Sequence, residues 1–195
     1  MTSQTPRRAV IFHGYGATPD DHWFGWLAGR LTRSGISTTI PTFPDPAAPD
    51  ASRWAAVAEA ALGTPGPDMT VIAHSLGSIT ALRHLGTLSG PWRLGALVLV
   101  SGFVDKLPAL PQLDDVIGEG ADVRGIREHV GSISLLRSDA DPYVPVGHTD
   151  RLARLLGTSA VVVPGAGHFL AADGGTTLPA AVRAIVNEER RASSA

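Results

Sequence analysis

The sequence predicts an α/β fold: a mostly parallel sheet of about six strands with helices on both faces, in a single domain spanning residues 1–195. Three observations carry that expectation. Short unbroken runs rich in Val, Ile and Leu recur along the chain, as strands buried on both faces require. Helical periodicities lie between those runs, and strands alternating with helices imply right-handed crossovers into a parallel sheet. A chain of 195 residues, 44% of them hydrophobic, can bury one sizeable core but not two ordinary ones.

In chain order, Ala9 to Phe12 reads as the first strand. The loop "FHGYGATPDDHW" follows, its acidic pair Asp20 and Asp21 suiting the first turn of a helix whose stripe Trp23, Leu27 and Leu31 fits a buried face. "STTIPTF" is a second, more polar strand, and the Pro-rich "PTFPDPAAPD" is a loop. Trp54, Val57, Ala58, Ala61 and Leu62 then recur at i, i+3, i+4, i+7 and i+8, one face of a helix. Met69 to Ala73 is the third strand, and Ile79, Leu82 and Leu85 mark the helix after it. Leu94 to Val100 is the fourth strand. From Phe103 to Gly131 no strand appears, only the weak helical pieces "LPQLDDVIGEG" and "DVRGIREHV", so a cap over the sheet is small or absent. Ile133 to Leu136 and Ala160 to Val163 complete the strands, and Leu178, Val182, Ile185 and Val186 give the closing helix. The polar ends, 1–6 and 190–195, are expected to fray.

Composition narrows the function. The formal charge is -2, with 16 basic against 18 acidic residues, which leaves no basic field for nucleic acid or an anionic membrane surface. The absence of cysteine excludes thiolate nucleophiles, disulfides and Cys-based zinc sites together. No apolar run approaches the ~20 residues of a membrane span, and the apolar stretch before His13 is too short for a signal-peptide core. A soluble cytoplasmic protein is expected.

Ligands of such sheets gather at the carboxyl ends of the strands, and one serine stands there at a sharp turn. "VIAHSLGSITALRHL" runs from strand into helix at Ser75. A strained turn of this kind lifts a hydroxyl above the sheet and needs small neighbours, hence the G-x-S-x-G pattern. Here the pattern reads Ala73-His74-Ser75-Leu76-Gly77, with alanine for the first glycine, so these five residues alone leave two readings open: a nucleophile, or a helix cap.

A serine hydroxyl needs a base to take its proton and a third group to orient that base, in the chain order Ser, acid, His. "LLRSDADPYVP" and "VVVPGAGHFLAADG" each follow a strand, which sets Asp141 and His168 on the same rim as Ser75. Asp139 and Asp105 compete as the acid; Asp141 is favoured because "DPYVP" leaves it on the loop ahead of the next helix. His74, next to the serine on a strand, points to the opposite side and reads as a packed histidine. His22 with Asp20 and Asp21 resembles a metal cluster only superficially, and no metal site is expected. Backbone donors for an oxyanion fall to Leu76, at the helix start, and Tyr15, between Gly14 and Gly16. "GYGA" fits neither phosphate-binding spacing, G-x-x-x-x-G-K-[ST] or G-x-G-x-x-G.

Together "HGYGATPDDHWFGWL", "VIAHSLGS", "LVLVSGFVDKLPALPQLDD", "SDADPYVP" and "GAGHFLAADG" resemble the α/β-hydrolase superfamily. Within it they are most similar to the small serine hydrolases of the YdeN and retinoblastoma-binding type. The resemblance spans nearly the whole chain. It implies a compact α/β-hydrolase fold without the usual antiparallel first strands, Ser75 as nucleophile, Asp141 as acid and His168 as base, and it tolerates alanine at position 73. The expected activity is hydrolysis of small acyl esters through an acyl-enzyme, with no cofactor and a small acyl molecule as substrate, no nucleic acid or membrane as partner, and a protein partner left open. A non-catalytic binding module on the same fold, or acyl transfer or peptide cleavage by the same residues, are the alternatives.

Overall fold

A computed structural model describes residues 7–192. The frayed ends expected at 1–6 and beyond 192 lie outside the described residues, while residues 190–192 belong to the last helix. Six strands form one sheet in the order β2-β1-β3-β4-β5-β6, and every neighbouring pair is parallel. They are β1 (Arg8–Phe12), β2 (Ser37–Thr39), β3 (Met69–His74), β4 (Leu94–Val100), β5 (Val130–Arg137) and β6 (Ala160–Val162). Strand order reverses between β1 and β3, which opens a crevice at their carboxyl ends.

The central strands explain themselves. All six residues of β3 are buried, and four of them, Met69, Val71, Ile72 and Ala73, are apolar, as a strand covered on both faces requires. One core cluster packs α2 (Ala51–Leu62) and α3 (Leu76–Thr87) against the sheet through Trp54, Leu62, Ile79 and Leu82. The opposite cluster packs α1 (Phe24–Arg33) and α7 (Pro179–Ala192) through Trp23, Phe24, Leu27, Leu31, Ala181 and Ile185. Trp23 and Phe24 are fully buried in that core. The Asp50 carboxylate caps α2 by accepting the Arg53 N–H at 2.8 Å.

Two local expectations are corrected. Helix α1 begins at Phe24, with no acid in its first turn; the Asp21 carboxylate instead accepts the N–H and hydroxyl of Thr18 and closes the preceding turn. Strand β6 lies at the sheet edge, where Val161 and Val162 are 54% and 42% exposed, although the apolar run suggested burial on both faces.

The stretch between β4 and β5 holds only short helices, α4 (Asp114–Ile117) and α5 (Ile126–His129). Its Phe103, Leu107, Leu113 and Ile117 are buried in the same core as α3. Arg83 of α3 reaches up and donates to the carbonyls of Val116 at 2.8 Å and Gly120 at 2.9 Å, which ties this small cap to the sheet. The remaining helix, α6 (Val146–Leu155), connects β5 to β6. Among the described residues no helix is long and apolar enough to cross a membrane.

Candidate active site

Ser75 stands between the last residue of β3 and the first of α3 with φ 53° and ψ -124°. A side chain seldom adopts a positive φ, and it persists only where surrounding contacts enforce it. Here they do. The Ser75 N–H donates to the Val100 carbonyl at 2.9 Å, carrying the β3–β4 ladder one residue past the strand. A Cβ on Gly77 would stand 2.5 Å from the His13 carbonyl oxygen, so α3 rests on the end of β1 where only glycine fits. A Cβ on Gly14 would stand 2.9 Å from the Ser75 Cβ, so the loop after β1 presses against the serine itself. Ala73, where the motif's first glycine is missing, lies fully buried between Phe12 and Leu99, and its methyl is accommodated.

The serine occupies the N-cap position of α3, yet its side chain makes no capping bond. Its hydroxyl faces His168 instead, Oγ to Nε2, at 3.0 Å. The other ring nitrogen, Nδ1, lies 2.8 Å from Oδ2 and 3.0 Å from Oδ1 of Asp141. An ionised carboxylate only accepts, so Nδ1 carries the hydrogen and Nε2 is left as acceptor for the serine O–H. All three groups are buried at the carboxyl rim, with the His168 and Asp141 side chains only 7% and 3% exposed. Burial pushes the Asp141 carboxyl up, but the hydrogen bond and charge of His168, the Val144 N–H and the Ser101 hydroxyl outweigh it and hold the group below its ordinary 3.8.

The competing acids fall elsewhere. Asp139 accepts the Gly165 N–H at 2.7 Å, clamping the loop after β5 to the one that carries His168. Asp105 pairs with Arg151 at 3.0 Å, away from the imidazole. His74 is packed, as its position on the strand suggested: its Nε2–H donates to the His168 carbonyl at 2.9 Å, and burial holds it neutral, well below its ordinary 6.5. His22 accepts the Ala171 N–H at 3.0 Å, and among the described residues no group of three or more His, Asp or Glu is arranged to hold a metal.

Two participants were missed in the sequence. Asp173 accepts the N–H of His168 at 2.9 Å, fixing the backbone beneath the ring, and its signal was a carboxylate five residues past the histidine. Ser101 donates its hydroxyl to Oδ2 of Asp141 at 2.7 Å, and nothing but its place just after a strand marked it.

Leu76 opens α3, so its N–H is among those a helix leaves without an intrahelical acceptor. Tyr15 sits between Gly14, which presses on Ser75, and Gly16, whose N–H donates to Pro46 at 2.7 Å. Beside Tyr15 opens a cavity of about 420 Å³ walled by Ala47, Ala48, Pro49, Gln112, Asp115 and Val116. A hydroxyl held against a carboxylate-oriented imidazole at a helix start is an arrangement able to attack a carbonyl.

Comparison with known proteins gives consistent matches. The serine hydrolase family matches residues 9–187. YdeN of Bacillus subtilis (strain 168) is 34% identical over 173 residues, covering 89% of this chain and 91% of its own. The crystal structure of the B. subtilis ydeN gene product superposes with a TM-score of 0.90 at 32% identity, over 94% of this chain and 99% of that one. An esterase domain of a Rhodothermus marinus protein shares the fold, with a TM-score of 0.64 at 18% identity over 96% of this chain and 89% of that one.

Proposed function

The chain belongs to the serine hydrolase family, and on that premise we propose that it hydrolyses small acyl esters through Ser75, His168 and Asp141. The observation that carries this reading is the 3.0 Å contact of the Ser75 hydroxyl with His168 Nε2 at a strained turn, where the serine forgoes its capping bond.

In this mechanism His168 Nε2 takes the Ser75 proton as Oγ bonds to the ester carbonyl carbon. The carbonyl oxygen gains the negative charge and is held by the N–H groups of Leu76 and Tyr15, each donor lowering the barrier by about 3 kcal/mol. Collapse expels the alcohol, which takes the proton back from His168, and leaves an acyl-Ser75 ester. Water then gives a proton to His168, attacks the acyl carbon and releases the acid, and the proton returns to Ser75. Asp141 stays ionised throughout, holding the imidazole in the required tautomer and stabilising it while it is charged. The stretch between β4 and β5 forms only a small cap, which favours a short acyl group over a long chain.

A fluorophosphonate probe tests the reading. Wild-type protein should label and Ser75→Ala should not. A folded wild type that never labels would point to a binding module instead. Among esters, thioesters and amides of graded acyl length, short-chain esters should turn over fastest, and amides outpacing them would move the assignment to a peptidase.

A further inference from the structure

The turn at Ser75 has a counterpart one strand away. Ser101 follows β4 as Ser75 follows β3, and its φ is 46°, again positive in a residue with a side chain. Its N–H donates to the Leu136 carbonyl of β5 at 2.9 Å, just as the Ser75 N–H donates to Val100 of β4. The next residue is pinned as well, since the Gly102 carbonyl accepts the buried Thr149 hydroxyl at 2.8 Å. With Ser101 only 1% exposed, this backbone delivers a hydroxyl to a single place, the Oδ2 atom of Asp141 at 2.7 Å.

The two oxygens of that carboxylate are held unequally. Oδ1 accepts the N–H groups of Tyr143 and Val144, at 2.9 and 3.0 Å, both from its own loop. Oδ2, the oxygen closer to His168 Nδ1, has the Ser101 hydroxyl as its other donor. Hydrogen bonds to an ionised carboxylate are short and about twice as strong as neutral ones, so the hydroxyl both fixes the carboxylate plane and disperses its charge.

We propose that Ser101 is a positioning residue for the hydrolytic reaction, orienting Asp141 and through it His168 from a second strained turn at the adjacent strand end. The proposal rests on the assignment of Ser75, His168 and Asp141 above. A residue that works through another has a distinctive energetic behaviour: its removal matters while its target is intact and ceases to matter once the target is gone. A residue that only fills space costs the same in both settings.

The experiment measures the second-order rate of fluorophosphonate labelling at Ser75, with folding of each variant confirmed by circular dichroism. Ser101→Ala keeps the Cβ and the positive φ but loses the hydroxyl; Ser101→Gly loses the hydroxyl and relaxes the backbone, and so supplies a second, less strained protein. Each should slow labelling about 10-fold, the scale of one charge-assisted hydrogen bond. In an Asp141→Asn background the same substitutions should change the rate less than about 2-fold. Wild-type labelling by Ser101→Ala, or an equal loss in both backgrounds, overturns the proposal and leaves the Ser75 assignment standing. A folded wild type that does not label overturns both.

Discussion

At the scale of single residues, the site depends on which carboxylate touches the imidazole. Three aspartates lie on loops at the carboxyl ends of β4 and β5, and only Asp141 reaches His168, at 2.8 Å, while Asp139 holds the Gly165 N–H and Asp105 holds Arg151. Asp141→Asn should therefore slow fluorophosphonate labelling by about 10³-fold or more, because a neutral amide no longer fixes the tautomer. Asp105→Asn should label as wild type does, and Asp139→Asn should lose less than about 10-fold, through a looser loop. Comparable losses at Asp139 and Asp141 would show that the loop, not the carboxylate, is what matters. Position 73 carries a second residue-scale expectation. The buried Ala73 methyl fills space in the core, so Ala73→Gly, which restores the G-x-S-x-G pattern, should cost about 1–2 kcal/mol of stability with no gain in labelling rate. Urea unfolding together with the labelling rate checks both halves.

At the scale of elements, the contact of α3 with the end of β1 holds the serine turn in place. A methyl on Gly77 would meet the carbonyl oxygens of His13 and Phe12 at 2.5 and 3.0 Å, and neither backbone group can yield without moving a strand. Gly77→Ala should destabilise by about 3 kcal/mol, or about 10 °C in Tm, and should impair labelling as the helix lifts. Gly25, exposed in α1 with nothing near its missing Cβ, is the contrast: Gly25→Ala should stabilise by about 0.5–1 kcal/mol. Thermal melts that placed the two together would refute the packing argument. Strands and helices of this kind were legible in the sequence where burial makes a periodic or unbroken apolar pattern, as in Met69 to Ala73 and Leu94 to Val100. Strand β5 was read one residue short at its end and three short at its start, where Gly131 and Ser132 look like a break. In the fold Gly131 is a close approach, since a Cβ there would lie 2.6 Å from the Gly95 carbonyl oxygen. Ser75, Asp141 and His168 were legible because each follows a strand in a fixed order. Ser101 follows a strand too, but a lone serine after "LVLV" has no spacing to distinguish it, and its role rests on a contact across forty residues of chain.

At the scale of the whole molecule, the buried histidines make stability depend on pH in a direction the structure sets. His13 is wholly buried at the carboxyl end of β1. Its Nδ1–H donates to the Gly14 carbonyl at 3.0 Å and its Nε2 accepts the Phe43 N–H at 3.1 Å, so a second ring proton would confront a donor. Burial holds His13 below its ordinary 6.5, and holds His74 well below it. In the unfolded chain both take a proton near pH 6.5. Between that value and their lower folded values the unfolded state binds more protons than the folded one. Their contribution to stability is thus complete above about pH 6.5 and erodes as pH falls, by up to about 1.4 kcal/mol per pH unit for each proton. Asp141 adds a later phase. Its folded value lies below 3.8, so its contribution is present above that and is lost as pH falls through the folded value. Urea midpoints measured from pH 8 to pH 4 should be level at first and then decline below about 6.5. His13→Gln, whatever it does to the absolute midpoint, should flatten that decline, because the replacement side chain does not titrate. A midpoint unchanged between pH 7.5 and pH 5 would mean that these imidazoles find solvent or a counter-charge in solution, and the packed neutral arrangement around Ser75 would have to be redrawn.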